Sequence, residues 1–149
     1  MKGDVKVIEY LNIALKNELT AINQYFLHSR MLDDWGVKKL AKFEYGESID
    51  EMKHADKLTQ RILFLDGLPN FQTLGRLRIG ENVEEILKAD LELEEEALPP
   101  LRDGIEYCEK VRDFVTRDLF AHILETQFEL IKQMGIANYI QLQSDAAED

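Results

Sequence analysis

The chain has 149 residues, enough for one compact domain with a sizeable hydrophobic core. Hydrophobic residues make up 45% and charged residues 32%, values that are typical of a soluble globular protein and exclude an integral membrane protein. Acidic residues outnumber basic residues 29 to 18, and the formal net charge of -11 argues against binding to nucleic acid or anionic lipid, whereas it suits a protein that handles cations.

The first half of the chain predicts two long helices. From Val5 to about Asp34 there is neither Gly nor Pro, and apolar residues recur every three or four positions. Asp4 is a suitable N-cap and Gly36 a suitable stop. A second helix is predicted from about Val37 to Leu65, and its interruption by Gly46 costs up to about 1 kcal/mol relative to Ala.

The helical pattern is lost from Gly67 to Glu81, where Pro69, Gly75 and Gly80 interrupt it. This link is longer than neighbouring antiparallel helices need. It therefore predicts a crossover that joins two parallel helices at opposite ends of a bundle.

The second half predicts shorter helical pieces. A third helix is expected to begin with Asn82 as its N-cap and Glu85 as the partner of a capping box. Pro99 and Pro100 are expected to kink or break it, because an interior proline costs roughly 3 kcal/mol, with helix resuming from Leu101 to Lys110.

A fourth helix is predicted from about Asp113 to Met134, where Gly135 would stop it, followed by a short fifth helix over roughly Ala137 to Gln143. The fourth helix would then be about 33 Å long, against some 42 to 45 Å for the first three segments. The whole chain, 1–149, is predicted to be a single all-α domain of the ferritin-like type, a four-helix bundle with one crossover over about 67–81 and a short C-terminal helix.

Cys108 is the only cysteine, so an intrachain disulfide and a cysteine-based zinc site are excluded. A single thiol and the absence of an apolar stretch after Met1 favour a reducing, cytoplasmic location.

The residues that point to chemistry lie in the middle of the helices. Glu51 and His54 share one face of the second helix and suit a metal that accepts both oxygen and nitrogen ligands, although such a pair alone is more often a solvated surface feature. Glu18 lies in an apolar stripe of the first helix, where a carboxylate is costly to bury unless it is paired or bound to a metal. Glu94 lies in the middle of the third helix, but within a run of acids that could equally be solvated. Together these residues form three arms of a carboxylate di-iron pattern.

Long stretches of the sequence identify a family. They are Met1-Lys2-Gly3-Asp4, Asn17-Glu18-Leu19, Ala21-Ile22-Asn23-Gln24-Tyr25-Phe26-Leu27-His28, Glu47-Ser48-Ile49-Asp50-Glu51-Met52-Lys53-His54-Ala55-Asp56, Arg61-Ile62-Leu63-Phe64-Leu65 and Gly67-Leu68-Pro69-Asn70. In these runs, and over nearly its whole length, the chain resembles the bacterioferritins.

The resemblance implies a hollow shell of 24 subunits that oxidises Fe(II) at di-iron centres, with oxygen or peroxide as oxidant, and stores the ferric mineral inside. It implies Glu18, Glu51, His54 and Glu94 as catalytic metal ligands, and a ferredoxin-type protein as a candidate reductant for iron release. It also implies a haem b at each two-fold interface, held by one Met52 from each subunit; interface packing is the other interpretation of Met52. The accompanying haem pocket would consist of Leu19, Ile22, Asn23, Phe26, Tyr45 and Ile49.

The sequence departs from the family pattern in the fourth helix. The family has a second Glu-x-x-His there, but this chain is about ten residues shorter near Leu124 to Thr126 and lacks the pair. His122 and Glu125 have the same spacing in reversed order, and surface positions are expected for both. Gly46 is a second departure, because the family often carries a histidine there that is associated with iron on the inner surface.

Ten residues turn a helix 80° short of three full turns, so we expect the later apolar face of the fourth helix to be out of phase with the core. Two explanations stay open: residues omitted from the recorded sequence, or a subunit with an incomplete di-iron centre.

Three functions follow from these observations. The first is a ferroxidase and iron-storage subunit, in which Tyr25 supports a ligand by a hydrogen bond. The second is a catalytically incomplete subunit that contributes haem binding and shell surface. A helical adaptor without metal explains the periodicity but not the acids in apolar settings.

Overall fold

Residues 1–148 contain four α-helices. The computed structural model describes the backbone of residues 1–148 and the side chains of residues 1–135. The helices are α1 (Val5–Asp34), α2 (Lys38–Phe64), α3 (Val83–Val111) and α4 (Phe114–Glu148). Within residues 1–148 there is no β-strand, and no helix is both long enough and apolar enough to cross a membrane. The predicted all-α four-helix architecture is confirmed.

The predicted helix starts are explained by their caps. Asp4 Oδ1 accepts hydrogen bonds from the backbone N–H of Lys6 at 2.8 Å and of Val7 at 3.1 Å. At the start of α3, Asn82 Oδ1 accepts the N–H of Glu85 at 2.9 Å. Such caps satisfy backbone donors that have no partner inside the helix.

Side-chain contacts fix the directions of the helices. Contacts made from α1 run in the opposite order along α2 and along α3, so both helices are antiparallel to α1 and parallel to each other. The contacting pairs are Glu18 with His54 and His28 with Glu44 on α2, and Gln24 with Asp90 and Tyr10 with Tyr107 on α3.

The predicted crossover lies between Phe64 and Val83, and it is held against α1. Three side chains on one face of α1, four residues apart, accept backbone N–H groups from it. Thr20 Oγ1 accepts from Gly75 at 2.8 Å, Gln24 Oε1 from Arg78 at 3.0 Å and His28 Nε2 from Gly80 at 3.1 Å. These bonds replace the helical partners that the crossover backbone lacks.

The predicted break in the third helix is wrong. α3 continues through Pro99 and Pro100, of which the first is exposed and the second is half-buried. Leu98 and Leu101, beside them, are buried. Burying such side chains contributes about 1.5–3 kcal/mol each, which offsets the roughly 3 kcal/mol cost of an interior proline.

The predictions of a short fourth helix and of a separate fifth helix are also wrong. α4 is one helix of 35 residues, about 52 Å long, which contains the predicted fifth helix at Ala137–Gln143. Gly135 lies inside it without ending it. A glycine costs only about 1 kcal/mol in a helix, whereas a helix end leaves backbone groups without partners.

The buried face of α4 is continuous within its described side chains. Its buried residues alternate in steps of four and three, as a helix packed in a bundle requires. They are Thr116, Phe120, Ile123, Gln127, Leu130 and Met134. The expected loss of phase is therefore wrong, because an offset of 80° falls within an apolar stripe that is about 100° wide.

Two apolar clusters lie on either side of a polar middle layer of the bundle. One includes Leu11, Leu15, Leu58 and Phe120. The other contains Ala21, Tyr25, Leu130 and Met134. Since Glu18 lies on α1 between Leu15 and Ala21, the fold encloses this carboxylate between two dry layers.

Substitution of Gly80 tests the packing of the crossover, and substitution of Gly46 on α2 is the control. A Cβ on Gly80 would lie 2.3 Å from the backbone nitrogen of Ile86, whereas a Cβ on Gly46 would meet nothing within 4 Å. We expect Gly80→Ala to lower the free energy of unfolding by about 1–3 kcal/mol through overpacking. Gly46→Ala, the matched control, should raise it by up to about 1 kcal/mol. Thermal unfolding followed by circular dichroism measures both, and equal midpoints for the two variants would contradict the described crossover.

Candidate metal centre

Three predicted ligands meet in the middle of the bundle. Glu18 on α1 is 2% exposed, and Glu51 and His54 on α2 are 2% and 6% exposed. His54 Nδ1 lies 3.5 Å from Glu18 Oε2 and 3.5 Å from Glu51 Oε2. One ligand atom from each residue lies within 4.8 Å of the others. The i, i+3 spacing of Glu51 and His54 explains why one helix supplies two of the three groups.

The geometry of these three groups fits a metal ion. Glu18 Oε2, Glu51 Oε2 and His54 Nδ1 have no hydrogen-bond partner among the described residues, although all three atoms are buried. Nitrogen and carboxylate ligands bind zinc, a metal of similar size to Fe(II), at about 2.0–2.2 Å, so neighbouring ligand atoms around such an ion lie about 3.0–3.5 Å apart. The observed spacing of 3.5 Å therefore matches an ion placed between them.

Glu94, the fourth predicted ligand, lies on α3 and is 2% exposed, but it is not part of this three-residue group. Tyr25 donates its hydroxyl proton to Glu94 Oε1 at 2.5 Å, while Glu94 Oε2 has no partner in the described structure. Burial, and next the charge of Glu51, raise the pKa of Glu94 well above its usual range. The predicted supporting hydrogen bond of Tyr25 is thus made to Glu94.

α4 contributes a residue that the sequence analysis missed. Gln127 is 3% exposed, and its Nε2 donates to Glu18 Oε1 across a long 3.4 Å bond. The Oε1 atom of Gln127 has no partner among residues 1–135. Its position between Ile123 and Leu130 in the apolar pattern of α4 was the available signal.

The reversed pair on α4 lies at the surface, since His122 and Glu125 are both exposed. His122 nevertheless reaches the centre from outside, because its ring lies edge-on to that of His54 with 6.2 Å between the ring centroids. Gly46, where the family often carries a histidine, is also exposed.

The residues predicted for a haem pocket lie on the outer face of α1 and α2. We call this set the Met52 face; it consists of Leu19, Ile22, Asn23, Phe26, Tyr45, Ile49 and Met52. Met52 and Phe26 are each 50% exposed, although Glu51, next to Met52, points inward.

Two parts make up the Met52 face. Leu19, Ile22 and Met52 line one open pocket together with Phe71 from the crossover. The rings of Phe26 and Tyr45 are tilted by 51° with 6.4 Å between their centroids, and the Arg30 guanidinium lies over the Tyr45 ring at 5.4 Å. The exposed thioether thus lies in an apolar surface of the kind that binds a planar ligand or a second subunit.

A second buried polar cluster was also missed. It consists of His28, Glu44 and Asp90, which lie on three different helices and are all 0% exposed. The available signal was their spacing, because Asp90 lies four residues before Glu94 and Glu44 seven residues before Glu51.

Comparison with known proteins gives a consistent result. The ferritin-like domain family matches residues 8–141. The bacterioferritin of Brucella melitensis biotype 1 is 49% identical over an alignment that covers 100% of this chain and 99% of the relative. The bacterioferritin of Rhodobacter capsulatus is 48% identical, with 99% and 100% covered, and that of Streptomyces coelicolor is 48% identical, with 94% and 90% covered.

The length of the first alignment agrees with the predicted difference in size. It has 159 positions, whereas this chain has 149 residues, so ten positions of the alignment have no counterpart here. The place of these ten positions near Leu124 to Thr126 stays a prediction. Because the domain match and the bacterioferritin matches span almost the entire sequence, this chain belongs to the bacterioferritin family.

Proposed function

We propose that the chain is an iron-storage subunit that binds Fe(II) inside its helical bundle and oxidises it. The observation that carries this proposal is the meeting of Glu18, Glu51 and His54 in a buried layer, with their facing atoms unpartnered and spaced for a metal ion. The bacterioferritin relatives support iron as the metal. A mixed set of oxygen and nitrogen ligands suits iron, and two carboxylates offset the charge of a divalent ion.

Each ligand has a distinct role in this proposal. Glu18 and His54 hold the first Fe(II), and Glu51 lies between this ion and a second one on the side of Glu94. Tyr25 fixes Glu94 through its hydrogen bond. Two Fe(II) ions together give two electrons to one dioxygen molecule, which takes up two protons and leaves as hydrogen peroxide. The Fe(III) product then moves to the storage cavity.

One observation favours a second candidate function. α4 supplies the amide of Gln127 to the centre, where a Glu-x-x-His pair would bring a carboxylate and an imidazole. An amide is neutral, so it offsets no charge of a second iron ion. A subunit with this centre would contribute haem binding and shell surface, while subunits with the full ligand set oxidise the iron.

Membership of the family leads us to propose assembly into a haem-containing shell of 24 subunits, in which the Met52 face would contact the haem. Met52 would be the axial ligand to haem b at a two-fold interface, with the other residues of the face around the ring. The thioether is exposed, and Leu19 and Ile22 line its pocket, so the face fits an apolar planar group. Bound haem supplies a one-electron carrier whose potential a methionine ligand raises. Electrons for iron release would come from a ferredoxin-type reductant in the cytoplasm.

Replacement of Glu51 tests the proposed oxidation. In Glu51→Ala the metal loses the ligand that lies between the two positions, and we expect the rate of Fe(II)-dependent oxygen uptake to fall by at least about 100-fold. Glu92→Gln is the matched control, because Glu92 is an exposed acid on α3, and its rate should equal that of the original protein. Equal rates for the original protein and Glu51→Ala would refute oxidation at this centre.

Haem binding can be tested without any activity measurement. Met52→Leu keeps the apolar bulk but removes the sulfur, so purified shells should lose the absorption of methionine-ligated haem while they stay assembled. Met31→Leu, at a half-buried methionine outside the pocket, should keep it. Unchanged haem spectra in Met52→Leu would exclude Met52 as the ligand.

The intact mass separates the two explanations for the missing ligand pair. The present sequence gives 17.3 kDa, and a subunit with ten further residues would be about 1.2 kDa heavier. A mass of 17.3 kDa from the purified subunit would support the explanation of a subunit with an incomplete di-iron centre. A mass near the higher value would indicate that the subunit contains the ten further residues, and with them the Glu-x-x-His pair expected on α4.

A further inference from the structure

The second buried cluster contains acid groups that no other group neutralises. Glu44 on α2 and Asp90 on α3 are both 0% exposed. Neither oxygen of Glu44 has a hydrogen-bond partner within the described residues, and Asp90 Oδ2 has none either. Three carboxylate oxygens are therefore buried together without a donor, an arrangement that costs several kcal/mol per charge unless a cation is present.

The protonation of His28 follows from its two hydrogen bonds. Gly80 N–H donates to Nε2 of His28 at 3.1 Å, so Nε2 carries no proton. In the neutral ring the proton is then on Nδ1, which donates it to Asp90 Oδ1 at 2.9 Å. The nearest oxygen of Glu44 lies 4.0 Å from the same nitrogen. His28 thus orients Asp90 and does not neutralise the pair.

Asp90 is held firmly by this arrangement. Its Oδ1 accepts a second hydrogen bond at 2.9 Å from Gln24 Nε2, and Gln24 is itself fixed by the N–H of Arg78. With Oδ1 fully occupied, only Oδ2 is left to bind something else. Side chains that orient a carboxylate in this way are typical neighbours of metal ligands.

A proton and a metal ion are the two cations that can occupy this cluster. Burial, and next the contact with Asp90, raise the pKa of Glu44 well above its usual range, in line with its two unpartnered oxygens. One proton shared between the carboxyl groups satisfies two of the three free oxygens. A metal ion binds all three, and its double charge matches the two carboxylates.

We propose that Glu44 and Asp90 bind a divalent cation that prefers oxygen ligands, and that His28 and Gln24 orient Asp90 for it. This site is separate from the centre of Glu18, Glu51 and His54. Glu44 precedes Glu51 by seven residues, which places the two sites about 10 Å apart along α2. A set of carboxylate oxygens without nitrogen suits Mn²⁺ or Mg²⁺. The inference does not rest on the proposed oxidation.

Manganese alone provides the test. Crystals of the full, metal-free protein are soaked in Mn²⁺, and anomalous scattering locates the ions. We expect one peak at Glu18, Glu51 and His54, and another between Glu44 and Asp90. A peak at the first position alone would overturn the proposal, and the carboxyl pair would then share a proton.

Variants keep this test independent of the first centre. Glu44→Gln should lose only the second peak, whereas Glu51→Gln should keep it, so failure at one site is distinguishable from failure at the other. Glu92→Gln, the exposed control on α3, should keep both peaks. In solution, Mn²⁺ should raise the unfolding temperature of Glu51→Gln, and Glu51→Gln combined with Asp90→Asn should lose this shift. An equal shift in both proteins would contradict the site even if Glu44→Gln did not fold.

Discussion

Burial of carboxylates without buried cationic side chains is the constraint on which this structure depends. Five acids are buried among residues 1–135, namely Glu18, Glu44, Glu51, Asp90 and Glu94, and no Lys or Arg side chain in that range is buried. An isolated charge in such surroundings costs far more than the few kcal/mol by which a domain is stable. The layer is therefore stable only with protons or metal ions that enter from solution. A bundle with this interior has its folding coupled to the binding of cations.

The helical framework explains why the acids meet. α1 runs antiparallel to both α2 and α3, so residues from the middle of each helix lie at one level. Apolar clusters on either side exclude water from this level, which strengthens every electrostatic interaction within it. The crossover closes the bundle beside α1 through backbone bonds to Thr20, Gln24 and His28. Gln24 and His28 also contact Asp90, so the residues that fix the crossover also orient a buried acid.

The parts of the site that sequence could predict are those with a local pattern. The i, i+3 spacing of Glu51 and His54, and the apolar neighbours of Glu18, identified the three groups that meet. The hydrogen bonds of Tyr25 to Glu94 and of His28 to Asp90 join residues more than sixty positions apart. Helical spacing predicts that such residues face inward, but it does not identify their partners. The predicted breaks at Pro99-Pro100 and Gly135 failed for the opposite reason. A local penalty of about 1–3 kcal/mol is outweighed by packing and backbone hydrogen bonds that are distributed over a whole helix.

The fourth helix shows how a core and a metal centre respond differently to a change in length. Buried positions on a bundle helix follow steps of three and four, so a block of ten residues corresponds to steps of three, four and three. Without the block, the residue that follows it lies at a buried position of the same stripe. The buried stripe from Thr116 to Met134 is therefore unbroken. Packing tolerates the exchange because any side chain of suitable size fills the stripe. A metal centre does not tolerate the exchange, because metal binding depends on which atoms the side chains supply. Here the side chain that contacts Glu18 is the amide of Gln127. A continuous core in α4 is thus compatible with an altered metal centre, and the length of this helix affects chemistry before it affects folding.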